Sequence, residues 1–150
     1  MPMPPLAPQD PDFERRVRDS FARQAVMHTI GARLLRVAPG ETEIDLAIRP
    51  ELGQQNGFLH AGIVTAVLDS ACGYAAHSLM PAGSEVLSVE FKVNLLAPAA
   101  GERLVARARV LRAGRTLSVC QADAFALRGG TETHAATMIG TMIRRTGEAG

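Results

Sequence analysis

The sequence predicts an α+β protein in which a curved antiparallel sheet of about six strands wraps around one long central helix. Within the stretch 57–79, residues 63–76 are apolar or small at nearly every position, which is typical of a helix buried on all sides. Other segments alternate apolar and polar residues with the period of two that marks half-buried strands. Because an apolar helix must bury most of its surface, a strongly curved sheet is its expected packing partner.

Length and composition indicate one globular domain without nucleic-acid or membrane partners. The 150 residues are 47% hydrophobic and 21% charged, with a net charge of +1 and no Trp. The small net charge provides no electrostatic attraction for nucleic acid or for a lipid surface. The absence of Trp argues against a surface on which bases stack. No apolar run approaches the ~20 residues of a membrane span, and the N-terminal residues lack a signal-peptide pattern. Cys72 and Cys120 lie in apolar segments, which predicts buried thiols and a cytoplasmic protein.

The N-terminal part is predicted to hold a tail and a cover helix. Residues 1–11 are rich in proline and are expected to form a flexible tail, so the domain is predicted to span residues 12–146. Phe13, Val17 and Phe21 recur at four-residue spacing, which predicts a helix over residues 12–27.

Two strands are predicted next, over residues 33–37 and 41–49, joined by a turn at Pro39 and Gly40. In the second strand one set of side chains is expected to face the core: Thr42, Ile44, Leu46 and Ile48. The other set is expected to face solvent: Glu41, Glu43, Asp45 and Arg49. Residues 50–58 form the predicted loop into the central helix.

Four strands are predicted after the helix, as an antiparallel meander. Residues 87–95 show the cleanest alternation, with the odd-numbered apolar positions facing one way. Residues 103–111 and 115–127 should form a hairpin turning at Ala113 and Gly114, and residues 131–144 form the last strand. Residues 147–150 are expected to fray.

Polar residues in and before the central helix are the candidate site. Asp69 is the one charge inside the apolar run, and a buried carboxylate is costly unless something pairs with it. Gln54, Gln55, Asn56 and His60 lie where the chain enters the helix. Each also has an ordinary structural explanation as a helix-start or loop residue, so the prediction rests on their combination.

Helix geometry separates His60 from Asp69. Nine residues at 100° per step put them on opposite faces and roughly 13 Å apart along the axis. If both act on one substrate, the second must come from another chain, and a two-fold dimer would form two equivalent sites.

The residue types suit carbonyl chemistry. Unsatisfied amides at the helix start, those of Ala61 and Gly62, could polarise a carbonyl as an oxyanion hole. Gln54 and His60 could orient substrate or water, and Asp69 could act as nucleophile or general base. The pattern favours hydrolysis of an activated ester, and no metal-ligand cluster or phosphate-binding glycine loop competes with it.

The runs QQNGFLHAGIVTAVLDSACGYAA, EVLSVEFKVNLLAPA and AGRTL resemble the PaaI-like acyl-CoA thioesterases of the hotdog superfamily. The resemblance covers roughly residues 34–144. Such proteins typically carry Asn or Gln, then His-Gly-Gly six residues later, then Asp or Glu nine residues after the His. Gln54, His60 and Asp69 match this spacing, and Ala61 replaces the first glycine.

The resemblance implies hydrolysis of an acyl-CoA thioester by a carboxylate contributed across a dimer, with dimers often paired into tetramers. The Ala61 amide would hold the thioester oxygen, and Ser88 would assist the carboxylate or the water. Coenzyme A would be part of the substrate, with no separate cofactor and no metal. Asn56 and Gly62 are candidate substrate contacts, and Arg112 and Arg115 are candidates for the CoA phosphates.

Two alternatives remain open at this stage. A hotdog dehydratase or hydratase of β-hydroxyacyl thioesters also uses a His and a carboxylate at similar spacing, although Gln54 favours hydrolysis. A non-catalytic protein that binds acyl thioesters is the other, although such a binder gains nothing from Asp69. Fold analogy does not choose between them.

Overall fold

The computed structural model describes residues 5–146 as a six-stranded antiparallel sheet packed on one central helix. The helices are α1 (Phe13–Arg23), α2 (Ala25–Ile30) and the central α3 (Ala61–His77), with a 3₁₀ turn at Pro50–Leu52. The strands are β1 (Arg33–Ala38), β2 (Glu41–Ala47), β3 (Ser84–Leu95), β4 (Arg103–Ala113), β5 (Leu117–Arg128) and β6 (Thr131–Thr146). The predicted fold class is therefore confirmed.

The strand order is β1-β2-β4-β5-β6-β3. Strands β4, β5 and β6 are joined by consecutive hairpins as predicted, but β4 pairs with β2. The predicted four-strand meander is therefore wrong at β3, which pairs with β6 at the far edge of the sheet. Alternation identifies the face that a strand buries, but it carries no information about which strand lies alongside.

The central helix is buried around most of its girth, as its composition predicts. Val67, Leu68, Ala71 and Cys72 are fully buried. The Thr42 hydroxyl of β2 donates to the Ala71 carbonyl oxygen at 2.8 Å, which ties the helix to the sheet. No helix among residues 5–146 is long and apolar enough to cross a membrane.

The predicted N-terminal helix is interrupted. Gln24 adopts an extended conformation with ψ of 98° and divides the segment into α1 and α2. Its side chain exchanges hydrogen bonds with Ser70 of α3, at 3.2 and 3.3 Å, which a continuous amphipathic pattern does not reveal.

Part of the predicted tail lies against the domain. Leu6 is half-buried against the core, and the Gln9 side chain donates to the Leu79 carbonyl oxygen at 3.2 Å. Asp10 is buried and accepts a hydrogen bond from Arg16 at 3.0 Å. Some residues of the predicted tail therefore contact the domain, and the predicted flexibility of residues 1–11 stays a prediction; residues 1–4 and 147–150 lie outside the described residues.

Strand β3 contains a β-bulge between Ser88 and Glu90. The bulge explains why Val86 and Val93, seven residues apart, both pack against the core, since an unbroken strand would turn them to opposite faces. The predicted alternation therefore fails before the bulge, where Ser88 faces α3. Four apolar side chains of β3 are 43–56% exposed: Leu87, Val89, Phe91 and Leu95.

Asp45 corrects the predicted solvent face of β2, because it is only 1% exposed. Arg33 of β1 donates to it through Nε and Nη2 at 3.0 and 2.6 Å, and Arg103 of β4 donates from the other side. Burial raises the pKa of Asp45, but the hydrogen bonds and charges of both arginines outweigh burial and hold the pKa below its usual value. The cluster joins three neighbouring strands.

We expect Asp45→Asn to lower the free energy of unfolding by about 1–3 kcal/mol, because it removes charged hydrogen bonds from two guanidinium groups. Denaturant unfolding measures this loss. Glu41→Gln is the matched control: its ion pair with Arg36 is about half exposed, so its loss should stay below about 1 kcal/mol.

The difference between wild type and Asp45→Asn should depend on pH. Because the folded pKa lies below the unfolded one, the stabilisation is fully present above about pH 4 and is lost as pH falls through the folded pKa. A difference that stays constant down to pH 2 would contradict the assigned charge state.

Candidate active site

Backbone hydrogen bonds fix the loop that leads into α3. The Gln54 N–H donates to the Phe58 carbonyl oxygen at 2.8 Å, and the Gly57 N–H donates to the Gln54 carbonyl oxygen at 3.0 Å. Gly57 has φ of 84°, in the left-handed region that favours glycine. The His60 N–H donates to the Leu52 carbonyl oxygen at 2.9 Å. This hydrogen bond fixes the position of His60 at the start of the helix.

The four amides at the start of α3 are unequally satisfied. The Gly62 N–H donates to His60 Nδ1 at 2.8 Å, while the N–H groups of Ile63 and Val64 both donate to the His60 carbonyl oxygen. The Ala61 N–H has no acceptor among residues 5–146. It is therefore the amide of this set that is free to bind a substrate oxygen, with the positive end of the helix dipole behind it.

His60 caps the helix, and its neighbours allow it to do so. A Cβ at Gly62 would lie 3.0 Å from His60 Nδ1, so glycine leaves room for the ring. Because Nδ1 accepts a hydrogen bond, the neutral ring carries its proton on Nε2 and can donate from there. Ala61 needs no left-handed conformation, since no residue other than glycine among residues 5–146 has a positive φ.

The residues of the predicted polar cluster do not all face the same cavity. Gln54 is half-buried and its Oε1 accepts a hydrogen bond from the Asn56 N–H, which holds its side chain within the loop. Gln54, Gln55, His60 and Ala61 line one cavity, whereas Asn56 is exposed and does not. The sequence therefore located this loop but could not show that Asn56 lies outside the cavity.

This helix-start cavity has a volume of about 610 Å³. Its floor is the loop and the first turn of α3, and its wall is the end of β3 with the following segment. The wall residues are Leu95, Leu96, Ala97, Pro98, Ala99 and Ala135. An apolar wall facing one free amide suits a carbonyl carried on a larger, mainly apolar group.

Asp69 lies in a second cavity. Its Oδ1 accepts a hydrogen bond of 2.6 Å from the Ser88 hydroxyl, which also lies 3.4 Å from the Met142 sulfur. Asp69 is half-buried and lines a carboxylate cavity of about 120 Å³ between α3, β3 and the junction of α1 with α2. Ser88 thus contacts Asp69, because the bulge turns it toward the helix.

The two halves of the predicted site are apart within one protomer. His60 precedes the first residue of α3 and Asp69 is that helix's ninth residue, so they lie on opposite faces, roughly 13 Å apart along the axis. The helix-start cavity and the carboxylate cavity share no lining residue.

Arg112 and Arg115 are exposed at the hairpin between β4 and β5. Neither guanidinium has a hydrogen-bond partner within the part of the chain that the structure describes. Arg115 lines a third cavity of about 210 Å³ with Met80 and Arg144, separate from the other two. The structure thus does not bring the two arginines into either half of the site within one chain.

Five polar residues that sequence reasoning missed line the carboxylate cavity: Ser20, Gln24, Ser70, Tyr74 and Glu85. Ser70 and Tyr74 follow Asp69 within the helix, so their closeness to Asp69 in the sequence could have identified them. Nothing in the sequence identified Gln24, because it was placed inside a predicted continuous helix.

The described residues give little support for a cysteine nucleophile or for a cluster of metal ligands. Cys72 and Cys120 are free and buried, as predicted; burial raises the pKa of the Cys72 thiol far above its ordinary value and that of Cys120 to about 12. Neither is a thiolate nucleophile near neutral pH. Residues 5–146 contain no group of three or more His, Cys, Asp or Glu arranged to hold a metal ion.

Comparison with known proteins identifies the family. Residues 56–133 match the sequence profile of the thioesterase superfamily. A crystal structure of a thioesterase family protein from Silicibacter pomeroyi is 55% identical, with a TM-score of 0.89 over 90% of this chain and 99% of that chain. The Escherichia coli PaaI protein from the phenylacetic acid degradation operon shares the fold at 18% identity, with a TM-score of 0.82 over 91% of this chain and 95% of that one.

A third protein extends the comparison. A Halobacterium salinarum protein, named as a candidate esterase, is 30% identical over 97 residues, which are 61% of this chain and 64% of that protein. The match thus spans slightly less than two thirds of this relative's length. The profile covers more than half of the present chain and includes the start of α3, Asp69 and Ser88. The chain therefore belongs to the thioesterase superfamily and has its hotdog fold.

Proposed function

We propose that this protein hydrolyses the thioester of an acyl-CoA or a related acyl carrier, at a site completed by two copies of the chain. The observation that carries the proposal is the divided site: the free Ala61 amide lies in one cavity and the Asp69–Ser88 pair lies in another. Hydrolysis of a thioester needs both an acceptor for carbonyl charge and a base or nucleophile. A second copy supplies the missing half.

Strand β3 supports a dimer of this kind. One of its edges pairs with β6, and the other has no partner strand among residues 5–146. An exposed edge of 12 residues carrying apolar side chains is a ready surface for another strand. Its half-exposed Val89 and Phe91 lie near the middle, where a two-fold axis would bring this pair of side chains against the same pair of the other copy.

The pairing direction matches the divided site. Two copies of β3 related by a two-fold axis must run antiparallel, which sets the Ser84 end of one against the Leu95 end of the other. Ser88 and Asp69 lie toward the first end, and the helix-start cavity is walled by Leu95 and Leu96 at the second. The dimer would thus bring one copy's carboxylate to the other copy's amide.

The proposed chemistry follows from these groups. The Ala61 N–H stabilises the negative charge that develops on the thioester oxygen. Asp69 either removes a proton from the attacking water or itself attacks the carbonyl carbon to form an anhydride that water then hydrolyses. In both routes the C–S bond breaks, the thiolate takes a proton, and the oxygen of water enters the acid. Ser88 fixes the carboxylate orientation.

Arg112 and Arg115 remain the proposed phosphate contacts of CoA. Their hairpin lies at the same end of the sheet as Ser88, because Ser118 and Ser88 are both opposite Met142 on β6. Exposed guanidinium groups without internal partners suit polyanionic phosphates.

Asp69→Asn should lower the rate of thiol release by at least ~10²-fold, because the amide is neither a base nor a nucleophile. Free thiol released from a panel of acyl-CoAs measures this. Asp123→Asn is the matched control: Asp123 bonds to His134 outside both cavities, so this variant should retain wild-type activity. A wild type that is inert on every thioester would contradict the proposal, and enoyl formation from a β-hydroxyacyl thioester without thiol release would indicate a dehydratase.

Ala61→Pro should lower kcat by roughly 10²–10³-fold, because it deletes one oxyanion donor. Proline is well tolerated at the first helical position, and His60, with ψ of 136°, has the extended backbone that a residue before proline prefers. Circular dichroism checks that the fold is intact. Ala61→Gly keeps the N–H, and its rate should fall far less; equal losses in the two variants would exclude the amide from the mechanism.

A heterodimer of Ala61→Pro with Asp69→Asn should recover about half of the wild-type activity, since one of its two sites combines both intact halves. Co-expression with two affinity tags isolates this heterodimer, and each variant homodimer is its inactive control. Activity no greater than that of the homodimers would show that the site does not cross between copies.

A further inference from the structure

The carboxylate cavity has a polar wall that the proposed chemistry does not use. Gln24 and Ser70 exchange two hydrogen bonds, from Nε2 to Oγ at 3.2 Å and from Oγ to Oε1 at 3.3 Å. The second N–H of the Gln24 amide has no acceptor among residues 5–146. Ser20 and Tyr74 complete the wall, with their oxygens 3.3 Å apart. A spare amide N–H beside a catalytic carboxylate can bind a polar group of the substrate.

The floor of the cavity is open beside Gly73, one helical turn beyond Asp69. A Cβ at Gly73 would meet no heavy atom within 4 Å. The cavity volume of about 120 Å³ is roughly four times the volume that one water molecule occupies in the liquid. The space therefore suits a short group rather than a long alkyl chain.

Carboxylates set the charge that the cavity accepts. Asp69 and Glu85 both line it, and it has no Lys, Arg or His in its lining. An acyl group with its own carboxylate would meet like charges at close range. Neutral acyl groups are therefore favoured over dicarboxylic ones.

We infer that the carboxylate cavity is the acyl subsite, that it selects short neutral acyl groups bearing a hydroxyl or carbonyl, and that Gln24 recognises this substituent. The inference rests on the proposed thioester hydrolysis, because attack by Asp69 requires the acyl carbon beside it. The acyl group then extends along α3 past Gly73, within reach of the Gln24 amide.

The test compares kcat/KM for 3-hydroxybutyryl-CoA and butyryl-CoA, which have equal chain length. Wild type should prefer the hydroxylated substrate by about tenfold or more, since only that substrate pairs with the amide. Succinyl-CoA should be the poorest of the three. Gln24→Leu should bring the preference close to unity. Gln121→Leu, which alters a glutamine bonded to Arg109 on the outer face of the sheet, should retain the wild-type preference.

A second variant keeps the inference testable if Gln24→Leu folds poorly. Gly73→Leu adds its side chain to open space, and it should lower kcat/KM for butyryl-CoA at least tenfold relative to acetyl-CoA by shortening the subsite. Thiol release without a hydroxyl preference, or a preference that survives Gln24→Leu, would overturn the inference and leave the hydrolase intact. Absence of thiol release from every acyl-CoA would overturn both.

Discussion

The hydrogen bond of 2.6 Å from Ser88 to Asp69 is the interaction on which the candidate site depends, because it links α3 to the edge strand β3. Asp69 is the one charged residue of a helix that is otherwise mostly apolar, and a half-buried carboxylate is stabilised by a polar partner. Strand β3 provides that partner only because its bulge turns Ser88 toward α3. The same strand lies at the edge of the sheet, which is where the proposed dimer would bring a second copy. An interior strand could supply the hydroxyl but would not leave the carboxylate open to a neighbour.

The start of α3 shows how three adjacent residues can create one available amide. A helix offers four unpaired N–H groups, and each needs an acceptor or solvent. The Gly62 N–H donates to the His60 ring, the Ile63 N–H donates to the His60 carbonyl oxygen, and the N–H of His60 itself donates to the Leu52 carbonyl oxygen. Gly62 gives the ring room, and Ala61 is left with the free N–H. The replacement of the family's usual glycine by Ala61 carries no backbone strain, because the position is helical.

Sequence reasoning predicted the parts of this protein whose physics is local. The apolar run of α3, the alternation of β2 and the turn glycines each depend on neighbours in the chain, and they were placed correctly within a few residues. The spacing of His60 and Asp69 also predicted that one chain cannot join them. What it could not predict depends on contacts distant in sequence. The position of β3 beside β6, the bulge at Ser88, the burial of Asp45 under two arginines and the break at Gln24 are all of this kind.

The contrast between the two cavities predicts how the proposed thioester substrate would be oriented. The helix-start cavity is about five times larger than the carboxylate cavity and has an apolar wall, whereas the smaller one carries amide, hydroxyl and carboxylate groups. If β3 pairs across a two-fold axis, the two cavities adjoin, with the thioester carbon between the Ala61 amide of one copy and Asp69 of the other. The acyl group then enters the small cavity, while the thiol portion runs outward through the larger one toward solvent. In that arrangement, the proposed hydrolysis would leave the acid and the thiol in different cavities, and the bulky thiol could depart without passing the acid.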